Sequence, residues 1–86
     1  MENIVNTRFN RGLKLAQASG ILVRFEYLQG RGGGICQVNQ HAQIFVDLAL
    51  NPSEQLQSLE SALQLVIDEK WPVAQRDQLE GWVGSG

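Results

Sequence analysis

The sequence lacks nearly every device that staples a small protein. Its single cysteine, Cys36, excludes a disulfide within the chain, and one cysteine with one histidine, His41, cannot build a zinc site. No apolar run approaches the roughly 20 residues of a membrane span, and Met1-Glu2-Asn3 lacks the basic-then-apolar order of a signal peptide. A bacterial cytoplasmic protein is the expectation, with no membrane partner. Positive charge is also scarce. Seven basic residues face nine acidic ones, the net charge is −2, and the basic residues are scattered from Arg8 to Arg76. Nucleic-acid binding through a bulk positive field is excluded.

What is present fits one domain. Eighty-six residues are too few for two hydrophobic cores, so residues 1–83 are read as one domain and 84–86 as an unordered tail. At this size a core supplies little stability, and an interface with a second chain is a natural supplement.

Phe9, Leu13 and Ala16 fall at helical spacing over 7–19, with Asn6 or Thr7 as cap and Gly20 as a left-handed stop. Residues 21–28 alternate, placing Ile21, Val23, Phe25 and Tyr27 on one face and Arg24 and Glu26 on the other. Gly30-Arg31-Gly32-Gly33-Gly34 then breaks the chain. Two strands follow, 35–39 and 43–48, joined around Gln40-His41-Ala42. Pairing Asn39 with Gln43 puts Cys36, Val38, Ile44 and Val46 on one apolar face, and Ile35, Gln37, Phe45 and Asp47 on the other. Asn51-Pro52-Ser53-Glu54 is a capping-box helix start with proline at the first helical position. Leu56, Leu59, Leu63 and Val66 continue it as a core stripe to about Glu69, and Trp71-Pro72 ends it. A last helix is expected over 73–81, carrying Leu79 and leading to Trp82.

The fold class is therefore α+β, in the order α-β-β-β-α-α. A small three-stranded, mainly antiparallel sheet packs against the first two helices. The expected core is Phe9, Leu13, Ile21, Val23, Phe25, Cys36, Val38, Ile44, Val46, Leu56, Leu59, Leu63 and Val66.

Chemistry is sparse. Glycines let backbone amides approach a phosphate, so Arg31, Gly32, Gly33 and Gly34 form a candidate anion loop. That loop joins two strands, however, and opens no helix whose dipole would favour an anion. Cys36 and His41 are read as more than 10 Å apart along a strand, too far for a nucleophile–base pair. Among the carboxylates, Glu54 belongs to the helix start, and Glu60, Asp68 and Glu69 to the polar side of that helix. Asp47, opposite the glycine-rich end of its neighbour, is placed to accept loop amide hydrogens. No catalytic set, metal site or cofactor site is complete. Ile35, Phe45, Trp71 and Trp82 remain as surplus apolar residues, covered by the last helix or by a partner chain.

The run Ala18-Ser19-Gly20-Ile21-Leu22-Val23, the glycine-rich loop, and Gln43-Ile44-Phe45-Val46-Asp47 before a leucine-rich helix resemble the core of zincin-like metallopeptidases of the ImmA/IrrE type. That resemblance implies metal-binding histidines near Ser61 and Leu65 and a catalytic glutamate near Ala62; none of the three is retained. It therefore implies a zincin-like fold without its activity. The layout Arg24-x-Glu26, Gly33-Gly34-x-Cys36, Ile44-x-x-Asp47 is also similar to that of short bacterial proteins. The leading expectation is a non-catalytic interaction or scaffold module, with a second copy of the chain as one candidate partner. The alternative is a small-ligand or anion binder using loop 30–34.

Overall fold

A computed structural model describes residues 4–80; Trp82 and the tail 84–86 lie outside the described residues. The elements are α1 (Ile4–Ser19), β1 (Leu22–Glu26), β2 (Gly34–Val38), β3 (His41–Asp47), α2 (Pro52–Asp68) and α3 (Arg76–Glu80). The class and element order match the sequence reading. The sheet order is β1-β3-β2: the last strand enters the middle, parallel to β1 and antiparallel to β2.

α1 starts earlier than the Asn6/Thr7 cap suggests, but stops as expected at Gly20, whose φ is +85°. Gly12, inside this helix, is buried where α1 crosses α2. A Cβ there would stand 3.0 Å from Leu59 Cδ2, so the glycine sets how closely the helices approach. α2 begins with the expected box: Glu54 N–H donates to Asn51 Oδ1 at 2.8 Å, and Asn51 N–H donates to Glu54 Oε1 at 3.1 Å. At its other end, α2 has no basic residue in its last turn. Arg76 of α3 supplies that charge, its guanidinium donating to the Ile67 and Trp71 carbonyls at 2.8 and 3.1 Å.

The β2–β3 register differs from the expected one. Val38 pairs with His41 across a two-residue turn, Asn39-Gln40, with both φ angles positive (50° and 67°). Ile35 therefore lies opposite Ile44, and Cys36 opposite Gln43. Paired residues share a face, so this shift turns every β2 side chain over. Ile35 moves to the helix side and packs against the core, while Cys36 and Val38 move to the opposite face. Neither is a core residue: Cys36 is half-buried and Val38 is 42% exposed.

The core lies between one face of the sheet and the helices. Ile44, Val46, Leu59, Leu63, Val66 and Leu79 are its large, fully buried side chains, and Ala16, Ala42 and Ala62 fill the narrower places. Phe9, Leu13 and Val23 pack against it, half-buried. Phe25 is on this side, its ring 6.1 Å from that of Phe9, but remains 42% exposed. Asp47, the one fully buried charged side chain among the described residues, lies outside this core, on the other face of the sheet by register.

Candidate functional site

The opposite face of the sheet carries the residues of interest. Leu22 and Arg24 of β1, Gln43 and Phe45 of β3, and Cys36 and Val38 of β2 share it by register. Phe45, at its centre, is half-buried, with the Arg24 guanidinium carbon 5.8 Å from its ring centroid. Arg24 also lies 3.8 Å from Glu26. This pair shields only part of the ring, because a guanidinium stem covers apolar surface on one side alone. Leu22 is 56% exposed. α3 does not cover this face: it packs against α1 and α2, with Leu79 buried in the core. The expectation that the last helix folds over Phe45 is corrected for the described residues.

Of the four expected interface residues, the three that are described do not converge. Ile35 and Phe45 occupy opposite faces of the sheet. Trp71 packs, half-buried, against the core between α2 and α3. Trp82 lies outside the described residues.

Cys36 and His41 are closer than a count along one strand suggests. The turn folds His41 back beside β2, where it is the diagonal neighbour of Cys36 on the open face, at roughly 7–8 Å between Cα atoms. The imidazole Nδ1 sits 3.1 Å from the Asn39 carbonyl oxygen, at the turn.

The glycine-rich loop is held from below. To pass from β1 to β2 the chain crosses the C-terminal end of β3, and there Asp47 is fully buried. Its carboxylate accepts hydrogen bonds from the amides of Leu28 (2.9 Å), Gly32 (3.1 Å) and Ala49 (2.9 Å). Burial by itself pushes its pKa up. The backbone donors, Gly30 among them, outweigh this and hold the carboxyl below its ordinary range. The expected role of Asp47 is thus observed. Three of the loop's four glycines also have a structural reason. Gly30 and Gly32 have positive φ, and a Cβ on Gly33 would collide with the Phe45 carbonyl oxygen. Arg31 is exposed at the rim of a shallow pocket of about 270 Å³ with Tyr27, Leu28 and Gln29.

A second concavity, of about 310 Å³, runs along the helix side of the β2 edge. Gly33, Gly34 and Ile35 form one wall, and Ser58, Ser61, Ala62 and Leu65 of α2 the other. Ser61, Ala62 and Leu65 are the positions to which the zincin resemblance would assign ligands and a glutamate. Their side chains cannot coordinate zinc or act as a base. Among the described residues, no group of three His, Cys, Asp or Glu side chains could hold a metal ion, and no helix is long and apolar enough to cross a membrane.

Sequence reasoning missed the Arg8–Glu60 pair, which joins α1 to α2 through contacts of 2.7, 2.8 and 3.2 Å. These residues stand 52 apart in the chain, and only the helix crossing brings them together. No known protein family, curated protein or solved structure matches this chain.

Proposed function

We propose that this protein is a non-catalytic interaction module of the cytoplasm that associates with a second copy of itself through the uncovered side of its sheet. The observation that carries this reading is Phe45. An aromatic side chain stands between Arg24 and Gly34 on a sheet face over which no described helix lies, with exposed Leu22 and Val38 further along the same face. An apolar face of this kind is stabilised when a partner removes it from water. The chain lacks other staples, so a second copy supplies the surface burial that 86 residues alone provide sparingly. The zincin-like resemblance is compatible with this proposal, as a framework carrying no ligand side chains.

Asp47 favours this reading over anion binding by loop 30–34. The Leu28 and Gly32 amides already donate to its carboxylate, and a buried negative charge beneath the loop repels a second anion.

The test is the mass of the protein in solution at tens of micromolar, where a weak homodimer is populated. The wild-type chain is expected at twice the mass of one chain, and Phe45→Glu at the mass of one, with unchanged circular dichroism. A monomeric wild-type protein, or a Phe45→Glu variant that assembles as well as wild type, would refute the proposal.

A further inference from the structure

The two edge strands of the sheet, neither paired with a further strand among the described residues, differ in a way that identifies how a second copy would dock. β1, on one edge, carries Arg24 and Glu26. Charges of this kind guard edge strands against pairing with another chain. β2, on the other edge, reads Gly-Ile-Cys-Gln-Val, with no charge and no proline, and lies within a stretch, 32–46, that contains no Asp, Glu, Lys or Arg.

The register fixes which backbone groups this edge offers. In an antiparallel ladder closed by a two-residue turn, the closing pair exchanges both hydrogen bonds, and bonded pairs recur at every second position. Val38–His41, Cys36–Gln43 and Gly34–Phe45 are therefore the bonded pairs. The N–H and C=O groups of Ile35 and Gln37 point outward, away from β3. The other side of β3 agrees with this phase: Ala42 N–H donates to the Pro72 carbonyl, and Leu48 N–H to Glu26.

Resting on the self-association reading above, we infer that β2 pairs antiparallel with β2 of a second copy about a two-fold axis at Cys36, making one six-stranded sheet. This register pairs Ile35 with Gln37 of the second copy, and the reverse, so that all four outward groups of each strand are used. Moving the axis to Ile35 or Gln37 would bring Gly33 or Asn39, both outside the strand, into the ladder. The side chains also fit themselves. Val38, 42% exposed on the open face, comes opposite Gly34 of the second copy. A Cβ built on Gly34 meets nothing within 4 Å, so the space that Val38 would enter is open. By symmetry this knob and hole occur twice, as an isologous contact requires. On the helix side, the groove between Ile35 and Ser61 lies beside the added strand, next to Gln37 of the second copy. Strand addition of this kind takes its affinity from main-chain hydrogen bonds and its register from alternating side chains. Phe45 stands opposite Gly34 in the same row of the open face, so Val38 of the second copy reaches over Gly34 toward the Phe45 ring and takes part of it out of water.

The two Cys36 residues then form a non-bonded antiparallel pair, with Cα atoms about 4.5 Å apart, within the range a disulfide spans. This gives a direct test, using the full chain at tens of micromolar. Under reducing conditions the mass should be that of two chains. Diamide oxidation of that dimer should join Cys36 to Cys36 faster than in urea-denatured protein. Gln37→Pro removes an outward N–H that bonds nothing among the described residues, a position an edge strand tolerates. Val38→Lys places a charge where the second strand lies while altering only an exposed side chain. Each should raise the dimer dissociation constant roughly tenfold or more. A dimer that persists in both variants, or whose thiols join no faster than in denatured protein, overturns the edge pairing but leaves self-association standing. A wild-type chain that is monomeric under these conditions overturns both.

Discussion

Adjacent residues of β3 meet opposite fates. Ile44 and Val46 are wholly buried beneath the helices, while Phe45, between them in sequence, sits on the far side of the sheet and is half-buried under one guanidinium. Strict alternation would have put a polar residue at position 45 if water were its permanent neighbour. The described chain provides one helical layer for a sheet with apolar residues on both faces. The helix-covered face therefore supports the fold, and the face over which no described helix lies carries the proposed function.

The largest effect should come from the covered face. Ile44→Ala should cost about 2–5 kcal/mol of unfolding free energy in urea titration, because it leaves a cavity in a packed core. Phe45→Ala, measured in dilute protein, should cost clearly less. Equal losses would mean that the two faces are equally packed within one chain. Two neighbouring glycines sharpen the contrast between packed and open backbone. Gly33→Ala drives a Cβ into the Phe45 carbonyl and should cost about 1–3 kcal/mol, as overpacking does. Gly34→Ala meets open space and should stay within about 0.5 kcal/mol in the monomer. Thermal melts of the pair at low concentration check this. Removing the α2 cap by Asn51→Ala should cost about 1 kcal/mol. Smaller again is Glu60→Gln. Its ion pair with Arg8 is partly exposed and should contribute about 0–1 kcal/mol, reduced by salt.

One contribution changes with pH. The Asp47 carboxyl titrates below its ordinary range in the folded chain, so its stabilisation is present above the unfolded pKa of about 3.9 and is lost as pH falls through the folded value. Wild type and Asp47→Asn should differ in stability at neutral pH and converge in acid. Hydrogen exchange at the Leu28 and Gly32 amides should accelerate in the variant. A constant difference across the pH range would contradict this assignment.

Legibility followed the range of the forces involved. The α2 start was readable because Asn51, Pro52 and Glu54 act within one turn of backbone. Asp47 could be singled out because a carboxylate among strand residues needs donors, and a glycine-rich loop supplies them. The hairpin register was not recovered, because gathering Cys36, Val38, Ile44 and Val46 on one apolar face favoured a longer loop than the observed two-residue turn. The deciding signal was conformational: Asn39 tolerates the left-handed region and starts a two-residue turn. That slip displaced Ile35, Cys36 and Val38 together. Its correction placed Val38 and Cys36 on the open face and exposed the self-complementary edge. The Arg8–Glu60 pair had no local signature, since both residues look like ordinary polar helix positions.

The central claim, that the uncovered side of the sheet meets a second copy of the chain, is tested most directly by sedimentation velocity of the wild-type protein with reductant present, across a concentration series reaching tens of micromolar. The account predicts a boundary that moves from the one-chain toward the two-chain species as concentration rises. A single one-chain species at every concentration would contradict it.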